Sequence, residues 1–190
     1  MNETTLPDLK GPHLLLRQPY ASDIEARLAL GRDPEVFRGF GASRHSITPM
    51  TREAAELWVA RMTVHGHAWM IDNDGLIGEA RLDKLDHTDR RATFAIGIYD
   101  PARLGKGLGT EAAQLVLHYA FSTLKLHRVS LRVLAYNSRA IASYKKCGFV
   151  IEGRQREAAC VDGVWEDDII MGIIDREFVT PPFLNGRPEP

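Results

Sequence analysis

Apolar residues recur along this chain with two spacings, and these spacings predict its secondary structure. Alternation of apolar and polar positions is typical of half-buried strands, whereas recurrence every three to four residues is typical of helices with one buried face. Residues 91–99 show the strand pattern, with Ala92, Phe94, Ile96 and Ile98 on one face. Strands are predicted at residues 13–17, 67–71, 76–85, 91–99, 129–134, 149–159 and 164–174, and helices at 22–30, 51–62, 108–124 and 138–147.

Turn and capping residues mark where some of these elements begin and end. Ser22 and Glu25 have the spacing of a capping box at the start of the first helix. The Asp-Gly pairs at 74–75 and 162–163 predict hairpin turns. Residues 31–50 are rich in glycine, proline and small polar residues, so we expect a mobile loop there.

The composition is that of an ordinary globular protein. The chain has 190 residues, is 44% apolar and 26% charged, and carries a formal net charge of −1. This suits one domain over residues 1–190, with frayed tails at 1–12 and 180–190. The charge balance points to neither a nucleic acid nor a membrane as partner, and no apolar run reaches the roughly 18 residues of a membrane span. The chain has two cysteines that form no Cys-x-x-Cys pair, and it shows no signal-peptide pattern, so we expect a cytoplasmic setting. Its seven histidines do not have the spacing of metal ligands, so no metal is expected.

The clearest chemistry lies in the glycine-rich loop at residues 103–111. Gly105, Gly107 and Gly109 lie where this loop opens onto the long helix predicted from residue 108. Glycines let a backbone turn tightly and approach a ligand without a side chain in the way. The free N–H groups and the positive dipole end of a helix N-terminus bind anions, most often phosphate. The loop is therefore predicted to be an anion cradle.

Several kinds of glycine-rich loop compete for this segment. The P-loop pattern fails because Lys106 is followed by Gly107 and not by serine or threonine. The dinucleotide fingerprint is met formally by Gly107, Gly109 and Ala112. Its context is poor, because residues 100–103 separate the glycines from the preceding strand and the next strand ends without an acid. A loop that serves only as a turn is the plain alternative.

Two sequence blocks together resemble the GNAT superfamily of acyl-CoA N-acyltransferases. Residues 104–109, Leu-Gly-Lys-Gly-Leu-Gly, are similar to the superfamily's pyrophosphate loop Gln/Arg-x-x-Gly-x-Gly/Ala, with Leu104 in the place of Gln or Arg. Residues 137–149 carry every position of Asn-x-x-Ala-Ile-x-x-Tyr-x-Lys-x-Gly-Phe. The resemblance covers about residues 13–175 and is closest to the branch of ribosomal-protein N-terminal acetyltransferases and spermidine acetyltransferases.

The resemblance implies a fold and a cosubstrate. The fold is α/β of the α+β kind, with a single mixed, mostly antiparallel, splayed central sheet of about seven strands flanked by helices. The cosubstrate is acetyl-CoA, whose pantetheine arm pairs with the 91–99 strand near Gly97; a packing glycine is the alternative for that position. The residues expected to bind acetyl-CoA are Ile96, Ile98, Arg103, Leu104, Gly105, Lys106, Gly107, Leu108, Gly109, Thr110, Asn137 and Arg139.

The implied reaction moves an acetyl group to a primary amine, either a protein N-terminus or a small amine such as a polyamine or aminoglycoside. Tyr144 has the position of the general acid that protonates the CoA thiolate, with a core aromatic as the alternative. Thr93 stands where related enzymes place an acid, so Glu79, acting through water, is the candidate base, and Glu157 or Asp168 could orient the amine. A non-catalytic acyl-CoA sensor is the rival class of function, and a homodimer through the final hairpin stays open.

Overall fold

The structure, a computed structural model, describes residues 6–185 as one sheet with helices on both faces. The strands are β1 (Leu9–Lys10), β2 (Leu15–Arg17), β3 (Ala68–Asp72), β4 (Leu76–Asp86), β5 (Arg91–Ile98), β6 (Arg128–Leu134), β7 (Val150–Val161) and β8 (Val164–Ile174). The helices are α1 (Asp23–Leu30), α2 (Pro34–Arg38), α3 (Arg52–Val64), α4 (Leu108–His118) and α5 (Ser138–Lys146). In the sheet the strands lie in the order β1-β2-β3-β4-β5-β6-β8-β7.

The sheet is mixed and mostly antiparallel, which confirms the predicted fold class. Within residues 6–185, β5 and β6 form the one parallel pair, and all the other neighbouring strands are antiparallel. The sheet has eight strands where about seven were expected, because the short β1 pairs with β2 at the edge. Helix α4 is buried over most of its circumference, as its apolar composition predicted.

Helices cover both faces of the sheet, and β3 shows how the core is divided between them. Trp69 and Ile71 belong to the larger core, which includes α4, whereas Ala68 and Met70 belong to a smaller core beside α1 and α3. All four side chains are at most 1% exposed. A strand buried on both faces carries a continuous apolar run instead of an alternating one.

Both predicted tails proved partly wrong. Residues 6–12 include β1, where Leu9 is buried, and the carbonyl of Pro7 accepts a hydrogen bond of 2.8 Å from the indole of Trp69. At the other end, Pro182–Leu184 forms a short 3₁₀ turn that buries Leu184. Buried apolar side chains therefore hold parts of both segments against the core, although composition alone predicted frayed tails. Residues 1–5 and 186–190 lie outside the described part of the chain.

The mobile loop expected at residues 31–50 was also wrong, because this segment contains α2 and a 3₁₀ turn at Arg44–Ser46. Asp33 caps α2 by accepting a hydrogen bond from the amide of Val36 at 2.9 Å. Pro34 is the first helical residue, where its missing N–H costs nothing. The Asp-Pro pair therefore marks the start of a helix, although the glycines of this segment led to the prediction of a loop.

The capping box predicted at Ser22 is absent for a local reason. Ser22 already has helical angles (φ −65°, ψ −16°) and its side chain caps nothing. The carboxylate of Asp23 instead accepts a hydrogen bond from the amide of Tyr20 at 2.7 Å. Glu25 pairs with Arg52 of α3 at 2.6 Å. The helix is therefore fixed by its neighbours and not by its own first residue.

The sheet splits at its parallel pair, and this split positions the functional site. Strands β5 and β6 share partners only over residues 91–93 and 128–130. Beyond this point β5 stays with β4 up to Ile98, while β6 stays with β8 up to Leu134. A wedge therefore opens between the two halves of the sheet, and α4 begins beside it.

Candidate active site

A cleft of about 800 Å³ fills the wedge between β5 and β6. Its walls come from segments far apart in the chain: residues 36–41, the strands β4, β5 and β6, the N-terminus of α4, and α5. The volume lies within the range of small-molecule sites, about 300–1,000 Å³.

The N-terminus of α4 opens into one end of the cleft. Gly107 is its N-cap residue, has left-handed angles (φ 82°, ψ −9°), and no side chain among the described residues caps the helix there. Gly105 also has a positive φ of 74°. A Cβ atom added at either glycine would meet nothing within 4 Å, so the space above the loop is open. The geometry is that of an anion cradle with free backbone amides.

The basic side chains near this cradle differ in how free they are. The guanidinium of Arg103 donates to Asn73 Oδ1 at 2.6 Å and lies 3.6 Å from a carboxylate oxygen of Asp100. Arg139 lines the cleft, is exposed, and forms no hydrogen bond or ion pair within residues 6–185. Lys106 is exposed and lies outside the cleft lining. Of these three side chains, Arg139 is therefore the most available to a bound phosphate.

Helix α5 places the ring of Tyr144 in the cleft wall. The ring meets Phe94 and Phe149 at centroid distances of 6.4 and 5.9 Å. Within residues 6–185 its hydroxyl makes no hydrogen bond. Burial raises the pKa of Tyr144 to about 12, so the phenol keeps its proton at neutral pH. The cleft therefore contains an unpaired hydroxyl donor.

Strand β4 places a buried carboxylate, Glu79, directly across from Gly97 of β5. Glu79 lines the cleft and is only 3% exposed. One of its oxygens accepts a hydrogen bond from the indole of Trp58, and the other accepts one from the guanidinium of Arg81. Arg81 is held in turn by Asp83, to which its Nε donates at 3.0 Å. These donors compensate for the loss of water around a buried charge.

Gly97 makes room for an aromatic ring. A Cβ atom at this position would lie 3.0 Å from the ring of Tyr99 and 3.2 Å from its hydroxyl. Burial, and next the negative charge of Glu79, raise the pKa of Tyr99. The geometry supports the packing role of this glycine, although its backbone also lines the cleft.

Residues 33–46, here called the strap, contribute residues 36–41 to the cleft wall, and this part of the cleft is called the strap end. The hydroxyl of Tyr136 donates to the carbonyl of Arg38 at 2.6 Å, and the side-chain amide of Asn137 donates to the carbonyl of Gly39 at 3.0 Å. The hydroxyl of Ser43 and the amide of residue 44 both donate to Asp162 Oδ1, at 2.7 and 2.8 Å. The turn of the last hairpin and the start of α5 therefore fix the strap.

A second buried carboxylate, Asp168, lines the cleft from β8 and is 1% exposed. It accepts a hydrogen bond of 2.7 Å from the guanidinium of Arg132 on β6. Glu157 lies outside the cleft lining, at an irregular point of β7 where it has a φ of 51°. Thr93 also lies outside the lining, where β5 still pairs with β6.

The chain as a whole matches a known protein family. Residues 13–150 match the family model for the acetyltransferase (GNAT) domain, which is more than half of the chain. The chain is a GNAT acetyltransferase. The family resemblance seen in the sequence is thereby confirmed.

Relatives of this GNAT acetyltransferase include named N-acetyltransferases. The "Probable N-acetyltransferase YjcK" of Bacillus subtilis (strain 168) is 30% identical over 176 residues, which cover 88% of this chain and 97% of that protein. The spermidine N(1)-acetyltransferase of Escherichia coli (strain K12) is 35% identical over 120 residues, covering 63% of this chain and 64% of that protein. The predicted enzyme class, an N-acetyltransferase, is confirmed by these relatives and by the family match.

A solved structure with the same fold is the spermidine N-acetyltransferase from Vibrio cholerae in complex with CoA and spermine. It has a TM-score of 0.73 to this GNAT acetyltransferase and 24% sequence identity, and the match covers 88% of this chain and 98% of that one. At this identity the likeness shows the fold.

The fold of the GNAT acetyltransferase brings almost all the predicted site residues into one cleft. Eleven of the twelve residues expected to bind acetyl-CoA line it, and the exception is Lys106. Tyr144 and Glu79, the predicted catalytic pair, line it as well. The roles assigned to these residues stay predictions. The sequence reading missed a further set of lining residues, which carry no motif and come together only in the fold: Phe37, Phe40, Arg61, Arg81, Tyr99 and Arg132.

The sheet of the GNAT acetyltransferase differs from the one that the dinucleotide fingerprint requires. That fingerprint belongs to a parallel, doubly wound sheet, whereas this sheet is mostly antiparallel. In the described part of the chain, no group of three or more His, Cys, Asp or Glu side chains is placed to hold a metal ion. No helix formed by residues 6–185 is both long and apolar enough to cross a membrane.

Proposed function

We propose that this GNAT enzyme transfers the acetyl group of acetyl-CoA to a small primary amine. The donor binds at the α4 end of the cleft and the acceptor binds at the strap end. The proposal depends above all on the uncapped N-terminus of α4, where Gly105 and Gly107 open onto the wedge between β5 and β6.

The residues at the α4 end fit the diphosphate of acetyl-CoA. Its charge suits free helix N-terminal amides and the positive end of the helix dipole. Arg139 lines the same cleft, is exposed and has no protein partner among residues 6–185, so it is available for a phosphate. From Phe94 onward β5 has lost its β6 partner, which leaves backbone groups for the amides of the pantetheine arm. When bound, acetyl-CoA supplies an acetyl group activated as a thioester.

Tyr144 is proposed to stabilise the departing sulfur by donating a hydrogen bond. Its unpaired hydroxyl and its position in the cleft wall support this role. Burial raises the pKa of Tyr144 to about 12, so the phenol keeps its own proton and can donate it in a hydrogen bond to the thiolate. We therefore infer that Tyr144 holds the thiolate by a hydrogen bond and that solvent supplies the final proton.

Glu79 is proposed to receive the proton that the amine loses. The amine nitrogen forms the new C–N bond with its lone pair as the C–S bond breaks, and the sulfur leaves with the bonding electrons. Because Trp58 and Arg81 already donate to both oxygens of Glu79, we place one water between this carboxylate and the amine. The other cleft carboxylate, Asp168, is bound to Arg132.

The acceptor must reach the cleft with a neutral nitrogen. An amine of pKa about 10.4 is roughly 0.1% neutral near pH 7.4, whereas an α-amine of pKa about 7.7–8.0 is roughly a fifth to a third neutral. The relative from Escherichia coli is named a spermidine acetyltransferase, which supports a small amine as acceptor here. A protein N-terminus is the alternative that the sequence leaves open.

Release of CoA thiol from acetyl-CoA in the presence of an amine panel tests this function. The panel contains small monoamines, polyamines and short peptides with free N-termini. We expect amine-dependent thiol release and a product that is heavier by one acetyl group. Tight binding of acetyl-CoA without thiol release for any amine would instead support a sensor protein.

A further inference from the structure

Three aromatic rings form a wall at the strap end of the cleft. Phe37 stacks on Tyr99, with ring centroids 5.8 Å apart. Phe40 meets both rings edge-on, at 5.9 Å from Phe37 and 6.0 Å from Tyr99. All three residues line the cleft, and Phe40 is 48% exposed. Phe37, Phe40 and Tyr99, here called the ring wall, therefore offer apolar surface that a ligand can cover.

A buried positive charge lies behind the ring wall. The guanidinium carbon of Arg27 is 4.4 Å from the ring centroid of Tyr99 and 5.8 Å from that of Phe37, and Arg27 is 3% exposed. Its NH1 donates to the carbonyl of Gly31 at 2.7 Å, and its Nε has no hydrogen-bond partner. No carboxylate within residues 6–185 forms an ion pair with it. Since arginine is always charged, a second cation on the wall is repelled and finds the ring of Tyr99 already engaged.

The carboxylates of the cleft are already paired with arginines. Glu79 is bound by Arg81, and Asp168 is bound by Arg132. Among the described residues, these two are the acidic side chains of the lining, against six basic ones. One of the basic ones, Arg61, is exposed and has no ion-pair partner in the described part of the chain. A polyamine carries further ammonium groups beside the reacting amine, and this lining has no unpaired carboxylate for them.

We propose that the acceptor is a primary amine whose neighbouring group is uncharged and apolar, preferably aromatic, and that Phe40 selects it. The inference rests on the proposed acetyl transfer and names the class of acceptor. The neighbouring group lies on the ring wall and covers the exposed ring of Phe40. The positive surroundings also favour the neutral form of the bound amine, which is the form that attacks.

A comparison of acceptors tests the inference on the full-length protein. The kcat/KM values are measured by CoA thiol release for phenethylamine, spermidine and the peptide Phe-Gly-Gly. We expect phenethylamine to exceed spermidine by at least about tenfold, the order of discrimination that an apolar pocket provides. A still higher kcat/KM for Phe-Gly-Gly would also support an amine with an aromatic neighbouring group, and would identify the acceptor as the N-terminus of a peptide or protein.

Three variants assign the selection to the ring wall. Phe40→Ala is expected to lower kcat/KM for phenethylamine by about tenfold while the values for spermidine and the KM for acetyl-CoA stay unchanged. Phe40→Leu, which keeps an apolar side chain, should retain most of the preference. Leu57→Ala is the control, because Leu57 is 72% exposed on α3 and lies outside the cleft lining.

The outcomes separate this inference from the function on which it rests. Spermidine turnover equal to or above that of phenethylamine in the unaltered protein would overturn the inference alone. An equal loss for both amines in Phe40→Ala would also overturn it. If no amine of the panel produced thiol release, the proposed function would be overturned, and this inference with it.

Discussion

Replacing Tyr144 by phenylalanine removes one hydroxyl from the cleft. The variant tests both the role of Tyr144 in turnover and the raised pKa of its phenol. The ring contacts with Phe94 and Phe149 are kept, at 6.4 and 5.9 Å, so the fold should tolerate the change. The hydroxyl makes no hydrogen bond within residues 6–185, so no partner is left unpaired. Any change in turnover is then attributable to the missing donor.

The expected loss of turnover follows from the strength of one hydrogen bond to a charged group. Such a bond contributes about 1.5–3 kcal/mol, which corresponds to a fall in kcat of about ten- to hundredfold. We expect the affinity for acetyl-CoA to stay unchanged, because the hydroxyl acts on the departing sulfur and not on the ground state. The measurement is steady-state CoA thiol release together with titration of acetyl-CoA. Tyr119→Phe is the matched control, since Tyr119 is a buried tyrosine outside the cleft lining.

The same variant also tests the raised pKa of Tyr144. Burial raises this pKa from 10.0 to about 12, so the unfolded chain releases its phenol proton before the folded protein does. This contribution to stability is complete below pH 10 and is lost between pH 10 and about 12, at about 1.4 kcal/mol per pH unit and about 3 kcal/mol in total. The thiol of Cys147, whose pKa is also raised by burial, is present in both proteins and cancels in the comparison.

Urea unfolding at pH 9 and pH 11 measures this difference. Relative to its value at pH 9, the free energy of unfolding at pH 11 should fall further in the unaltered protein than in Tyr144→Phe, by about 1.4 kcal/mol. Two results would refute the reasoning: an unchanged kcat in the variant excludes Tyr144 from the mechanism, and equal alkaline losses in both proteins show that the phenol is not desolvated.

Two further substitutions test the cradle and the carboxylate. Gly107→Ala and Gly163→Ala both place a Cβ at a left-handed position with open space around it (φ 82° and 80°), so each should cost about 1–2 kcal/mol of stability. Only Gly107→Ala should raise the Kd for acetyl-CoA, by about tenfold as measured by calorimetry, and equal affinities in both variants would contradict the cradle. Glu79→Gln should lower kcat by at least about tenfold without changing the KM for acetyl-CoA. Its control is Glu111→Gln, because Glu111 is also buried and accepts two hydrogen bonds, at 2.9 and 2.8 Å, but lies outside the cleft lining; equal kcat values in the two variants would remove Glu79 from the mechanism.

The sequence by itself determined the family, most of the secondary structure and the residues of the α4 end of the cleft, where we propose that acetyl-CoA binds. This was possible because the signals there are local. Gly105 and Gly107 have positive φ angles, which glycine adopts more readily than any other residue. The shape of the loop is therefore reflected directly in the residue types of the sequence. The motif at residues 137–149 likewise places Tyr144 on one short helix, α5, beside the same cleft. The sheet class followed from the same resemblance.

Only the tertiary structure decided which residues form the strap end, where we propose that the acceptor binds. Its residues come from the strap, β4 and the end of β5, and each has an ordinary role when read in its own segment. From the sequence alone, Phe40 belongs to a segment predicted to be an irregular loop. In the fold, hydrogen bonds to Asp162 and from Tyr136 hold the strap in place, and Phe40 with it. Whether a carboxylate such as Glu79 is free or already paired depends on which arginine the fold brings to it. Contacts between residues so distant in the chain leave no periodic or local trace in the sequence, since their geometry is set by packing and not by the backbone.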